Sequence, residues 1–142
     1  MDPLVRTGGR VLLPPVLVYL FHTAAVVFFD VYTHVPDFDI PMHLLGGASL
    51  GASGVFLLHA LTQKKLVVFR HPFLSFLFVL GLVAVIAVVW EWYEYLIDIL
   101  FFAHFQKGVG DTLFDLGLGL SGAGAAALTL LLKEGRSRSR RA

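Results

Sequence analysis

Four long apolar runs, separated by short polar breaks, set the pattern of this chain. They cover residues 11–29, 41–61, 73–100 and 112–132. A helix that crosses a bilayer needs about 20 mostly apolar residues, and each run is close to that length or longer. From Phe73 to Trp90 no ionisable residue interrupts the third run. The pattern predicts an all-α fold: a polytopic four-helix transmembrane bundle over residues 1–132, followed by a basic tail over 133–142. Pro14-Pro15 falls near the start of the first run, where proline costs a helix least. That run reads as a span and not as a cleaved signal peptide, because it is long and Phe29-Asp30 is a poor cleavage junction.

Composition agrees with this reading. The chain is 57% hydrophobic with a mean hydropathy of +0.79, which belongs to a membrane protein rather than a soluble core. A net charge of +1 points to neither a nucleic-acid partner nor an acidic substrate. The absence of cysteine excludes disulfides, thiolate metal sites and thiol nucleophiles.

Charge placement carries more information than net charge. Arg6 and Arg10 precede the first span. Lys64, Lys65 and Arg70 separate the second from the third, and Lys133, Arg136, Arg138, Arg140 and Arg141 follow the fourth. Lys107 alone among the lysines and arginines falls in the 3–4 loop. The positive-inside rule then puts both termini in the cytoplasm. The Arg/Ser tail reads as disordered, serving topology and attraction to anionic lipid.

The acids do the reverse, and half of the ten lie between Glu91 and Asp115. A helix rises about 1.5 Å per residue, so depth can be counted from each span's inner cation. Glu91 and Glu94 lie about 31 and 36 Å above Arg70, and His43 and Asp39 about 31 and 37 Å above Lys64. Asp115 and Asp111 lie about 27 and 33 Å above Lys133. Three spans thus deliver acids to one level, at the edge of a hydrocarbon slab about 30 Å thick. Azimuth agrees, since Asp39/His43 and Asp111/Asp115 are i, i+4 pairs and Glu91/Glu94 an i, i+3 pair.

Turned inward, these groups repel unless a cation or added protons hold them. Asp39, His43, Glu91, Glu94, Asp111 and Asp115 are therefore candidate metal ligands, with Glu91 and Glu94 as candidate catalytic groups. Oxygen donors with one His and no Cys suit a divalent metal such as Mg, Mn, Ca, Fe or Zn. A competing reading needs no ligand: Asp111 and Asp39 cap helix starts, and Asp115 lies one turn in. Asp30, Asp37 and Asp98 read as solvated. His22, mid-span with no partner near it in sequence, reads as a satisfied interior His, and His59 and His71 as solvated. His104 and Lys107 are candidates to meet an anion. Trp90, Trp92, Tyr93 and Tyr95 read as interfacial belt rings. Small residues spaced by four, Gly47/Gly51, Gly117/Ser121 and Gly119/Ala123, predict close helix packing.

Three stretches, Asp39-Ile40-Pro41-Met42-His43-Leu44-Leu45-Gly46-Gly47, the Glu91-x-x-Glu94 step and Asp111-Thr112-Leu113-Phe114-Asp115, resemble the VanZ-like and YjdF-like small integral membrane proteins. The resemblance covers about residues 30 to 125. It implies a multi-pass protein of a bacterial or archaeal cytoplasmic membrane, with cell-envelope lipid as a theme. The expected partner is membrane lipid, not nucleic acid, and a homodimer is compatible with four short spans. The expected function is an outer-face carboxylate/His cation site, extended to a metal-dependent enzyme. The alternatives are a proton or divalent-cation transport protein and a structural scaffold.

Overall fold

The computed structural model describes residues 3–101 and 105–139, with side chains from 7 to 101 and from 105 to 135. It is helical throughout its regular structure: α1 (Pro3–Phe29), α2 (Val31–His34), α3 (Asp39–Gln63), α4 (Pro72–Phe101) and α5 (Val109–Ser139). Four of these contain stretches long and apolar enough to cross a membrane: Thr7–Phe29, Asp39–Gln63, Pro72–Phe101 and Val109–Gly135. Short connections between long helices make neighbours antiparallel. Residues 30–38 and 105–108 therefore lie at one end of the bundle, here called the loop end, and the start of α1 and the end of α5 lie at the other.

The turns have local causes. Asp30 adopts a left-handed conformation (φ 45°), which Asp tolerates better than most residues, and this breaks α1 from α2. At the end of α3, Lys65 is left-handed (φ 59°). Leu66 N donates to Leu61 O and Lys65 N to Thr62 O, each at 3.0 Å, closing a Schellman turn without glycine.

Helices α3 and α5 form the centre. α1 packs against α3, while α4 packs against α5 and part of α3. The seam between α3 and α5 is made of backbone. A Cβ added at Gly47 would collide with Gly119, and one at Gly122 with the carbonyl of Leu44. At Gly51 it would stand 2.6 Å from the Ala123 carbonyl oxygen. Nearer the termini, Val55, Leu58, Val79 and Ala127 are buried together. The apolar outer faces, such as Leu12, Leu17, Phe28, Val85 and Val89, remain exposed, as lipid-facing positions must be.

Three expectations are corrected. Pro14 and Pro15 lie well inside α1, because the helix begins at Pro3. Membrane helices tolerate such prolines because neighbouring groups re-satisfy the freed carbonyls. The Gly117/Ser121 pair does not face a helix: nothing lies within 4 Å of a Cβ at Gly117, and Ser121 Oγ donates to its own helix, to Gly117 O at 2.7 Å. The tail is not disordered as far as Ser139, since α5 continues through it.

Candidate functional site

The loop end gathers its polar groups from three helices. α3 begins at Asp39, so Asp39 and His43 occupy its first two turns on one face. His43 Nε2 stands 3.3 Å from Asp39 Oδ1 and 3.8 Å from Asp115 Oδ2 on α5. α4 contributes Glu91, only 5% exposed, and Glu94. Trp90 Nε1 donates to Glu94 Oε1 at 2.8 Å and fixes that carboxylate. Gln106 Nε2 donates to Glu91 Oε2 at 3.3 Å and to its backbone oxygen at 3.0 Å.

All six candidate residues are brought together. Their ligand atoms form three overlapping groups, Asp39/His43/Glu94, His43/Glu91/Asp115 and Asp39/Asp111/Asp115, each within 4.8 Å. Ligands on opposite sides of a hard cation stand about 4–5 Å apart, given bonds of about 2.1–2.6 Å. The donor set therefore fits a divalent cation, with oxygen donors and one imidazole. Asp115 is 4% exposed and lines the adjoining cavity. Among the described residues no hydrogen bond reaches its carboxylate, and His43 at 3.8 Å is beyond hydrogen-bond distance.

That cavity has a volume of about 370 Å³ and is walled by all four long helices. Its loop end carries Asp39, His43, Glu91, Glu94 and Asp115, and its deeper walls are apolar.

A family model described as Predicted membrane protein (DUF2238) matches residues 8–136. The chain belongs to that family. The match takes in every residue of the cluster, so the site lies wholly inside the part that defines DUF2238 here. No curated protein and no solved structure matches the chain. The match shows a membrane-protein family, while the finer VanZ-like or YjdF-like assignment rests on the three motifs alone.

Around the cluster, the structure of this DUF2238 member adds to the sequence reading and in places departs from it. His22 is a satisfied interior His: its Nε2 lies 3.0 Å from Tyr32 Oη, and Tyr32 Oη donates to Asp39 Oδ1 at 3.2 Å. Since the phenol spends its one proton on Asp39, His22 must donate from Nε2, which assigns its tautomer. Tyr32, on the short α2, was not a candidate in the sequence. Burial raises its pKa, and the charge and hydrogen bond of Asp39 raise it further. Asp98 is not simply solvated: its two oxygens accept the N–H groups of Phe105 and Gln106 at 2.9 Å each. It thereby positions Gln106, and through it Glu91. Trp90 lines the cavity and donates to Glu94, whereas Trp92 is 70% exposed, as a belt residue should be. At the terminal end, His59 Nε2 pairs with Glu134 Oε2 at 2.7 Å instead of facing water alone.

Asp111 is not an N-cap. α5 starts at Val109, so Asp111 lies in the first turn, where its Oδ2 accepts the Lys107 N–H at 3.1 Å. Asp115 is then in the second turn, too far in to serve the free N–H groups of the helix start. Asp39, by contrast, is in the first turn of α3 and has both roles open to it. The Lys107 side chain is exposed, and His104 lies outside the described residues.

Proposed function

We propose that this membrane protein binds a divalent cation among Asp39, His43, Glu91, Glu94, Asp111 and Asp115 at the loop end of the bundle. Metal-dependent catalysis at that site extends the same reading. The observation that carries it is Asp115. Burying a carboxylate is costly, and among the described residues this one accepts no hydrogen bond, has His43 as an ion-pair partner only at 3.8 Å, and shares its cavity with the carboxylates of Asp39, Glu91 and Glu94. A positive ion placed among them removes that cost. A divalent ion held by these residues would supply Lewis-acid chemistry toward a phosphoryl or acyl oxygen. Glu91 and Glu94 are the carboxylates placed to move a proton, each held by a side-chain N–H donor from Gln106 or Trp90.

The neighbouring cavity argues against a conduit for ions. Below the cluster its walls are residues such as Val18, Leu50, Val83, Ile86 and Ala87. A cation passing there would lose its hydration with nothing to replace it.

Elemental analysis of the purified protein, followed by Mn²⁺ titration, tests the proposal. The expected result is about one divalent ion per chain, lost in Asp115→Asn and His43→Ala. Wild-type protein without bound metal, and without Mn²⁺ binding, would overturn it. Proton or cation flux in proteoliposomes that is abolished by Glu91→Gln would favour transport.

A further inference from the structure

The cavity below the cluster is a groove with an open side. On α4 it runs from Val83 to Glu94, eleven residues or about 16 Å of helix. Its lower walls are apolar and its loop end is acidic. Among the described residues the backbone of α1 packs on α3 and α2 and does not approach that of α4. What spans their gap is an aromatic contact, Tyr19 edge-on to Trp90 with ring centroids 6.1 Å apart. Beside that bridge, Val16 of α1 and Ile86 of α4 line the groove and are 46% and 37% exposed. The groove therefore opens sideways, onto faces that meet lipid.

Its volume of about 370 Å³ is that of a small-molecule site, and its apolar walls with polar groups at one end describe an amphiphile. Charge selects the head. The cluster gathers five carboxyl groups around one imidazole, more acids than one divalent ion neutralises. A head bearing only phosphate is repelled by that surplus, whereas an ammonium is attracted and can donate three hydrogen bonds to carboxylates. Lys107, whose N–H is bonded to Asp111 in the adjoining loop, supplies a counter-charge for the phosphate of a zwitterion.

We propose that the groove holds one hydrocarbon chain of an amine-headed phospholipid, drawn sideways from the bilayer between α1 and α4, with its ammonium at the carboxylate cluster. This rests on the reading of the cluster as a cation site, and it names the ligand that shares that site.

The test is native mass spectrometry of the full chain, stripped of lipid in detergent, then supplied with phosphatidylethanolamine or phosphatidylglycerol, with Mn²⁺ binding measured on the same samples. The expected preference for phosphatidylethanolamine is about tenfold, equivalent to about 1.4 kcal/mol. Gly46→Phe and Ala87→Trp, which fill the groove, should lose the lipid and keep Mn²⁺. A Cβ at Gly46 meets no atom within 4 Å, so a side chain can leave the helix there, on the cavity wall, without a backbone clash. Mn²⁺ binding with lipid binding that ignores head group, or that survives both groove variants, would overturn the lipid proposal and leave the metal reading standing. Groove-dependent phosphatidylethanolamine binding without Mn²⁺ binding would do the reverse, and binding of neither would sink both.

Discussion

Gly47 of α3 and Gly119 of α5 meet backbone to backbone, with no room for a Cβ between them. In a membrane, helices gain little from hydrophobic exclusion and depend on such close approach. This contact holds α3 and α5 at the separation that lets His43 reach toward Asp115. Gly47→Ala should therefore cost about 2–3 kcal/mol or more, as overpacking against unyielding backbone does. Gly117→Ala, at a position with nothing nearby, should cost nothing or stabilise slightly. Thermal unfolding in detergent compares them, and equal effects would refute the assigned seam.

Metal removal should be visible as stability. If the cluster binds Mn²⁺, free ion at a hundredfold excess over Kd stabilises the folded state by about 2.7 kcal/mol. Chelation should reverse the increase in Tm. In His43→Ala the increase should shrink or vanish, because two of the three donor groups contain His43.

Tyr32 gives a pH dependence with a defined sign. Its folded pKa is raised by burial and by Asp39. The folded chain therefore holds the phenolic proton more tightly than the unfolded chain, and stability falls as pH rises above the ordinary tyrosine value of about 10. The contribution is complete below that value. Tyr32→Phe should cost about 1.5–3 kcal/mol at neutral pH, the worth of a hydrogen bond to a charged group. The gap between variant and wild type should narrow at alkaline pH, and a constant gap from pH 7 to 11 would contradict the assignment.

Asp98 should act at a distance. Asp98→Ala frees the N–H groups of Phe105 and Gln106, and with them the restraint on Gln106 and Glu91. Mn²⁺ affinity should fall about 10-fold or more, in the range for loss of groups that orient ligands. Asp37→Ala, in the other loop, should leave it unchanged.

The His59–Glu134 pair should matter little. Its side chains are 33% and 37% exposed, so screening limits it to about 0–1 kcal/mol. Glu134→Gln should lower Tm only slightly, by less in high salt.

The spans were legible because a bilayer imposes a length on apolar runs, and the shared height of Glu91, His43 and Asp115 was legible because helical rise is constant. Rotation about the helix was harder to read. Gly117/Ser121 and Gly119/Ala123 have the same spacing, but two residues turn a helix by about 200°, so they point to opposite sides. Only the position of α3 decides which pair is used. Tyr32, the partner of His22, was missed for another reason. The left-handed turn at Asp30 folds α2 back toward α1, and nothing in the apolar pattern records a four-residue helix. Asp98 and Gln106 escaped because their bonds run through loop backbone, which hydropathy does not report.

The candidate ligands are shared out along the chain, with Asp39 and His43 on α3, Glu91 and Glu94 on α4, and Asp111 and Asp115 on α5. Translation delivers these helices in that order, so the first four acidic or imidazole groups enter the bilayer before their last wall exists. A nascent chain halted before α5 would present them to hydrocarbon, without the glycine-rich surface that draws α3 inward. The pocket is thus completed by the final insertion event, and a polypeptide truncated there should be a preferred target of membrane proteases.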